Sequence, residues 1–327
     1  MYRLYTQSVS NARNALKRLG LELLTDPPEL FVEKKLRFFW ACCKTKTGER
    51  VFFKSILRRE RGIKNRFLNE INFLEIIKKS PSHPLRDYVP EILHFSKNPS
   101  FIYLCYKFLP GKTRERDDKY SKQELIKITE LAKVISSSPT DKFKFIPQGS
   151  LFNYYSYRKR MDFLLKNLSL TRKMEKKIKT AIEKDKEAFR RIRPVLTHGD
   201  FSEANILFNK NKIKLLDWEH VHLRNPVFDF TSFWVKRKKE PKEQKILLDC
   251  YLENGLDKIS KEMFFKLFKL SLFELCLGEL TFVKEMETML KLEEKAGKTK
   301  KSIIEKRKKS LTTQRDESLR VLEKELS

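Results

Sequence analysis

The feature that most constrains this 327-residue chain is a pair of short segments, HGDFSEANILF at 198–208 and KLLDWE shortly after it. Asp200 precedes Asn205 by five positions, and Asn205 leads directly into an apolar stretch that predicts a buried strand. After a turn, a second apolar stretch ends at Asp217. The pattern predicts a hairpin with these three polar side chains at one end, where loops on a rigid scaffold usually carry functional groups.

An Asp, an Asn and a second Asp in this order suit the transfer of a phosphoryl group from ATP. Such a transfer needs a carboxylate that orients the attacking hydroxyl and ligands that hold Mg²⁺ against the phosphate oxygens. Asp200 is the candidate base, and Asn205 and Asp217 are the candidate ligands, because Mg²⁺ prefers hard oxygen donors. A capped turn would explain a lone Asp–Asn pair, but it does not explain the ordered set with two apolar strands between its members.

Two charged residues in the first third of the chain fit the same chemistry. The stretch RVFFKSI predicts a strand that carries Lys54, and a lysine between apolar neighbours is costly unless its charge is used. Glu70 lies sixteen residues later, in a stretch at 59–79 whose apolar spacing predicts an amphipathic helix. In kinases, a strand lysine held by a helix glutamate is aimed at the nucleotide phosphates. Two ordinary surface charges are the alternative, and the position of the pair ahead of the Asp/Asn/Asp set favours the kinase interpretation.

The segment FIYLCYKFLPGK at 101–112 predicts a strand that ends at a Pro-Gly pair. In a two-lobed kinase this segment is the hinge, and the backbone groups around Lys107 and Leu109 would bind the edge of adenine. An ordinary strand and turn is the alternative.

Together these residues resemble the aminoglycoside phosphotransferase and choline kinase group, a branch of the protein-kinase-like fold. The resemblance rests on the catalytic-loop residues, on the triplet that stands where protein kinases carry Asp-Phe-Gly, and on a following motif: His198, Gly199, Asp200 and Asn205; Asp217, Trp218 and Glu219; Asn225, Pro226 and Asp229. Gly199 stands where protein kinases carry Arg, which favours the small-molecule branch. One departure is that residues 31–46, where a loop would cover the ATP phosphates, contain no glycine.

The resemblance implies an α+β, bilobal fold. Residues 1–111 would form a small lobe with an antiparallel sheet, a helix and the hinge, and residues 112–327 a larger, mostly helical lobe with the catalytic loop and a charged C-terminal helix. It also implies that Asp229 is structural and accepts N–H bonds from the catalytic loop, and that His198 packs behind Trp218. Members that take cationic acceptors line the larger lobe with carboxylates, for which Glu274, Glu279 and Glu285 are the candidates; ordinary surface charges on helices are the alternative.

Composition limits the remaining choices. No run of about 18 apolar residues is present, so no membrane span is expected. Five cysteines without paired spacing predict free thiols and a cytoplasmic location. The net charge of +28 is explained by a lysine-rich solvated surface, or by an anionic substrate or membrane surface. Nucleic acid is disfavoured, because the charge is spread over helices with few interleaved aromatic residues and no nucleic-acid motif.

We therefore predict a small-molecule kinase that uses ATP and Mg²⁺ to phosphorylate a hydroxyl of a sugar, an amino alcohol or an aminoglycoside-like acceptor. Two alternatives stay open at the level of sequence, and a third is disfavoured. The first is a kinase that acts on a membrane-linked anionic glycan, and the second is a non-catalytic binding or scaffold protein that retains the fold. A protein-directed kinase is disfavoured, because eleven positions from Asp217 to Phe228 leave little room for an activation segment.

Overall fold

A computed structural model describes residues 2–24, 37–57, 60–115, 118–143, 145–146, 153–210, 212–238, 240–254, 259–296 and 301–326, without the side chains of residues 2–9, 190, 254 and 296. The chain divides into two compact units. The first comprises Met1–Glu115, Ser138–Ile146 and His198–Val221, and the second comprises Arg116–Ser137, Pro147–Thr197 and His222–Ser327. All of the segment that sequence reasoning assigned to catalysis, from His198 to Asp217, thus belongs to the first unit. The domain boundary at 111/112 stays a prediction.

Helices and strands alternate in the first half, and helices dominate the second. In chain order the elements are α1 (Tyr2–Arg18), β1 (Glu22–Leu23), β2 (Phe38–Lys44), β3 (Arg50–Ile56), α2 (Arg61–Lys78), β4 (Ile92–Ser96), β5 (Tyr103–Lys107), α3 (Lys122–Ser137), α4 (Tyr154–Asn167), α5 (Arg172–Lys184), α6 (Ala188–Arg191), β6 (Val195–Thr197), β7 (Ile206–Asn209), β8 (Lys212–Leu215), β9 (His222–Arg224), α7 (Phe228–Lys236), α8 (Pro241–Asn254), α9 (Lys261–Ala296) and α10 (Lys301–Leu326).

The first unit is built on a five-stranded antiparallel sheet in the order β1-β2-β3-β5-β4. Lys54 lies on the central strand β3, opposite Trp40 of β2 and Leu104 of β5. The inward-facing residues Phe39 and Phe53 pack against α1, so that this helix and the sheet share one apolar core. The part of the glycine-free stretch up to residue 36 lies outside the described residues.

Helix α2 closely matches the amphipathic helix predicted at 59–79. Its apolar face is buried, and Glu70 is buried on that same face, with 2% of its surface exposed. A carboxylate in such a position is costly unless it has a partner. Phe73 of α2 stacks on Trp218 with ring centroids 4.3 Å apart, which ties the helix to the turn that follows Asp217.

The predicted catalytic hairpin is confirmed as β7 and β8, which pair antiparallel with Ile206 opposite Leu215. One further backbone bond, from the N–H of Leu216 to the carbonyl of Asn205 at 2.8 Å, extends the ladder past Ile206. Asn205 and Asp217 are therefore held next to each other by the hairpin itself. Its outer edge pairs with Lys112, where a Cβ on Gly111 would lie 2.5 Å from the carbonyl oxygen of Phe208.

The second unit is mostly helical and contains the small sheet of β6 and β9. Helix α3 begins with a capping box, in which the side chains of Ser121 and Glu124 each accept the other residue's backbone N–H. The charged C-terminal helix α10 packs along α9 through Leu311, which joins Val283 and Leu290 in a buried cluster.

These two units confirm the α+β, protein-kinase-like fold class, with a sheet-based N-terminal part and a helical C-terminal part. All five cysteines are free thiols. In the part of the chain that the structure describes, no helix combines the length and apolarity needed to cross a membrane.

Candidate active site

Lys54 joins the two parts of the predicted site. Its Nζ lies 2.8 Å from Oε2 of Glu70 and 2.8 Å from Oδ1 of Asp217. Burial alone would lower the pKa of Lys54, but the two carboxylates outweigh it and hold that pKa well above its usual range. Lys54 is therefore charged at any physiological pH. The structure thus brings together the strand lysine, the helix glutamate and the second aspartate of the sequence prediction.

The two carboxylates that share Lys54 differ in their surroundings. Burial is the largest influence on Glu70 and raises its pKa to about 7, an effect that the attraction of Lys54 offsets in part. The side chain of Asp217 is 38% exposed. Burial also opposes its charge, but the adjacent Lys54 ammonium prevails and lowers the pKa of Asp217. Asp217 is accordingly the firmly ionised partner, as a metal ligand must be.

The backbone of Asp217 is held in an unusual conformation. Its φ of 59° and ψ of 64° are left-handed, a region that a non-glycine residue occupies at a cost. The next residue, Trp218, is fully buried and donates its indole N–H to the carbonyl of Leu215 at 2.9 Å. The stack of Trp218 on Phe73 adds a second anchor. The surrounding packing therefore fixes a strained backbone at the residue that sequence reasoning assigned to metal binding.

His198 connects the two polar segments through its ring. Its Nδ1 accepts the N–H of Asp200 at 3.3 Å, so its Nε2 carries the proton and donates to the carbonyl of Leu216 at 2.9 Å. The ring also lies edge-on to Trp218, with centroids 4.7 Å apart. This geometry fits the packing role that the family resemblance implied, because both ring nitrogens are engaged by the backbone.

Gly199 is required where the two segments approach each other most closely. Its φ is +82°, and a Cβ built on it would lie 2.1 Å from the carbonyl oxygen of His220. No side chain fits at that distance. A larger residue at this position would separate the loop that carries Asp200 from the turn that carries Asp217.

Asn205 fixes the carboxylate of Asp200. Its Nδ2 donates to the main-chain carbonyl of Asp200 at 2.9 Å and to Oδ2 of the same residue at 3.0 Å. Because both partners are acceptors, the orientation of the amide is determined, and the Oδ1 atom of Asn205 is left without a donor among the described residues. That amide oxygen and the second carboxylate oxygen of Asp217 are hard oxygen donors, the kind of ligand that Mg²⁺ prefers.

No group of three or more His, Cys, Asp or Glu side chains in the described ranges could hold a metal on its own. A Mg²⁺ site in phosphoryl transfer does not require one, because one or two protein oxygens and the nucleotide phosphates complete the coordination. The Asn205 and Asp217 oxygens fit that type of site.

Sequence reasoning gave no role to Glu219 or Arg37, which also belong to the site. Glu219 is 1% exposed, and its Oε1 accepts the Nη1–H of Arg37 at 2.9 Å and lies 3.2 Å from Nε2 of His220. Burial alone would raise the pKa of Glu219, but the bond with His220 is the largest opposing influence and the net effect is a lowered pKa. Glu219 was visible in the sequence as the third residue of the Asp-Trp-Glu triplet. Arg37 could not be identified from the sequence, because nothing distinguishes it among 71 lysines and arginines.

The expected hinge residues lie at the end of the central sheet. Lys107 is the last residue of β5, and its N–H donates to the carbonyl of Glu91 at 2.9 Å. The peptide groups of Leu109, by contrast, have no hydrogen-bond partner among the described residues. Asp229 lies in the first turn of α7 in the second unit and is 3% exposed. Its predicted contact with the catalytic loop stays a prediction.

The three carboxylates considered for acceptor binding have different environments. Oε2 of Glu279 is engaged by Lys238 at 2.9 Å and by Ser318 of α10 at 2.6 Å. These contacts favour a role for Glu279 in helix packing over a role as an acceptor ligand. Glu274 is buried, and its Oε1 lies 3.8 Å from Nε of Arg160. Glu285 is exposed.

With this geometry established, comparison with known proteins defines the class. The family model described as the phosphotransferase enzyme family matches residues 44–259, so the chain belongs to that family. It is accordingly an ATP-dependent phosphotransferase that acts on a hydroxyl group of a small molecule. A sequence search of curated proteins found no significant match.

Solved structures agree with the fold. A macrolide 2′-phosphotransferase from Brachybacterium faecium matches with a TM-score of 0.61 at 15% identity over 84% of this chain and 92% of its own. A type I macrolide 2′-phosphotransferase matches with a TM-score of 0.63 at 15% identity over 94% of this chain and 97% of its own. An ethanolamine kinase from Plasmodium vivax matches with a TM-score of 0.53 at 13% identity over 81% of this chain and 75% of its own. At these identities the likeness establishes the fold.

Proposed function

We propose that the chain transfers the γ-phosphoryl group of Mg²⁺-ATP to an alcohol, with Asp200 as the base and Lys54 as the phosphate-binding cation. The observation that carries this proposal is that Lys54 bridges Glu70 and Asp217 at 2.8 Å each. A lysine placed between a helix glutamate and a metal-binding aspartate is the arrangement that phosphoryl transfer uses to steady the α- and β-phosphates.

Asp200 is suited to accept the proton of the attacking hydroxyl. Asn205 binds its Oδ2, which leaves Oδ1 free of hydrogen bonds among the described residues. In the proposed step, the hydroxyl oxygen forms a bond to the γ-phosphorus while the bond to the oxygen that bridges the β- and γ-phosphates breaks. The hydroxyl proton moves to Oδ1 of Asp200, and ADP leaves with the bridging oxygen.

Oδ1 of Asn205 and the free oxygen of Asp217 would hold Mg²⁺. The metal would neutralise charge on the β- and γ-phosphates. The protein's own contribution is to position these two oxygens, which the hairpin bond between Leu216 and Asn205 and the anchor at Trp218 provide.

The adenine edge would bind at the end of β5. The peptide groups of Leu109 have no partner in the part of the chain that the structure describes and are available for it, whereas the N–H of Lys107 is already bonded to the carbonyl of Glu91. Of the two hinge residues named from the sequence, Leu109 is therefore the better candidate for the direct contact.

The acceptor is a small molecule with a hydroxyl group, of the sugar, amino alcohol or aminoglycoside-like kind. The solved relatives include macrolide phosphotransferases and an ethanolamine kinase, which supports this range without narrowing it. The net charge of +28 supports an anionic acceptor, for which a membrane-linked glycan is the second candidate.

The test is ATP consumption against a panel of sugars, amino alcohols, aminoglycosides, macrolides and anionic glycolipids, with the wild type and Asp200→Ala. We expect one acceptor class to stimulate turnover and the variant to lose about 10²-fold or more, while Mg²⁺-ATP binding is largely retained. Asp249→Asn, which changes an exposed aspartate of α8, is the control and should match the wild type. Equal turnover in Asp200→Ala would reject the role of Asp200. ATP binding without turnover on any acceptor would favour the scaffold alternative.

A further inference from the structure

Two cations face one aromatic ring next to the proposed phosphate site. Phe38 opens strand β2, and its ring centroid lies 4.5 Å from Nζ of Lys54 and 5.6 Å from the guanidinium carbon of Arg37. Arg37 therefore approaches the same end of the sheet as the proposed phosphate-binding lysine. Arg37 also lies within the glycine-free stretch at 31–46, directly ahead of β2.

Arg37 is held in place but keeps most of its donors. Its carbonyl accepts the N–H of Leu57 at 2.8 Å, and its Nη1 donates to Oε1 of the buried Glu219 at 2.9 Å. A guanidinium has five N–H donors, and the others make no hydrogen bond among the described residues. The side chain is 41% exposed, so a ligand in solution can reach those donors.

Glu219 accounts for the placement of this arginine. It lies two residues after Asp217, is 1% exposed, and its Oε2 is buried without a partner among the described residues. A buried carboxylate strongly favours a nearby fixed cation. The Arg37–Glu219 pair thus holds the guanidinium beside the turn that carries the proposed metal ligand.

We propose that Arg37 is a second phosphate-binding residue that contacts the terminal phosphates of the nucleotide and is positioned by Glu219. This inference rests on the proposed function. Lys54 is already shared by two carboxylates, which limits the charge it offers to a triphosphate. In kinases, glycine-rich loops cover the phosphates. A planar guanidinium with several free N–H groups binds phosphate oxygens in pairs and performs the same task from a side chain.

The test compares nucleotide binding in the wild type, Arg37→Gln and Arg37→Lys by displacement of a fluorescent nucleotide. Hydrogen bonds to charged groups are strong enough that Arg37→Gln should bind Mg²⁺-ATP about 10- to 100-fold more weakly. Adenosine lacks phosphates, so it should bind Arg37→Gln and the wild type with equal affinity. Arg37→Lys keeps the charge but loses the paired geometry, so its affinity for Mg²⁺-ATP should lie between the other two.

Arg86→Gln is the matched control, because it removes one exposed positive charge from the same unit, where Nη1 of Arg86 bonds to the carbonyl of Lys78. It should bind Mg²⁺-ATP like the wild type. Equal Mg²⁺-ATP affinity in Arg37→Gln and the wild type would overturn the role of Arg37 but not the proposed function. The same conclusion would follow if Arg37→Gln lost as much affinity for adenosine as for Mg²⁺-ATP. A wild type that binds no Mg²⁺-ATP would overturn the proposed function together with it.

Discussion

Asn205 donates its amide to both the carbonyl and the carboxylate of Asp200, at 2.9 and 3.0 Å, so one side chain orients the proposed base and leaves an oxygen free for metal. In the proposed site, Asn205 would therefore both position the base and bind the metal. Removing this side chain should affect both together.

Asn205→Ala should lower turnover by about 10-fold or more and raise the Mg²⁺ concentration needed for half-maximal rate, because one ligand and one orienting bond are lost. Titration of the rate with Mg²⁺ measures both effects. Asn209→Ala, at the end of β7, is the control. An unchanged Mg²⁺ dependence in Asn205→Ala would remove the residue from the metal site.

Lys54→Met should destabilise the fold at pH 8 by about 3 kcal/mol, because it leaves the buried carboxylate of Glu70 without its cation. Adding Glu70→Gln should recover part of that loss, since the unpaired charge is then absent. Urea unfolding of the two single variants and the double variant measures the coupling. Additive losses would show that the two side chains do not stabilise each other.

Gly199→Ala should cost more stability than Gly48→Ala. Both residues have positive φ, +82° and +86°, so each substitution carries the backbone penalty of about 1 kcal/mol or more. A Cβ at position 48 meets nothing within 4 Å, whereas one at 199 meets the carbonyl of His220 at 2.1 Å. Thermal unfolding compares them, and equal losses would mean that the close approach at Gly199 is not maintained in solution.

The raised pKa of Glu70 predicts a pH effect of definite sign. Burial, the largest influence, raises it from 4.5 to about 7, so between these values the folded chain binds a proton that the unfolded chain has released. The stability this group contributes is full below pH 4.5 and is lost as the pH rises through about 7. Asp217 and Glu219 have lowered pKa values, so their contributions are lost only as the pH falls below this window.

The melting temperature of the wild type should therefore decline relative to that of Glu70→Gln between pH 5 and pH 7.5. The other titrating groups are common to both proteins and cancel in the difference. Parallel curves for the two proteins would show that the pKa of Glu70 is not raised.

The sequence predicted those features that depend on local pattern. Strand β3 with Lys54, helix α2 with Glu70 and the β7–β8 hairpin follow from apolar spacing, since each element must bury one face. The pairing of Lys54 with Glu70 was predicted from their order and from the kinase arrangement, whereas the contact of Lys54 with Asp217 was not predicted. Lys54, Glu70 and Asp217 do meet, although up to 163 positions of sequence separate them.

What the sequence did not predict depends on contacts between distant segments. The Arg37–Glu219 pair joins residues 182 positions apart, and no periodicity marks a cation as the partner of one particular carboxylate. Glu279 was a candidate acceptor ligand because the sequence does not show its hydrogen bond with Ser318 of α10, which is also a tertiary contact. In these cases the sequence indicated which residue types form the site, but it did not indicate which residues contact each other.

Trp218 contacts both sides of the site at once, with its indole against Phe73 of α2 and against His198 of the catalytic loop. A shift of the helix that carries Glu70 must therefore displace the indole, and with it the adjacent Asp217 and the histidine that holds the backbone of Asp200. The side chains proposed to bind phosphate, to bind the metal and to act as the base are therefore connected through the packing of one aromatic side chain. The site should accordingly assemble and come apart as a single cooperative unit, without intermediate states in which one of the three is in place and the others are not.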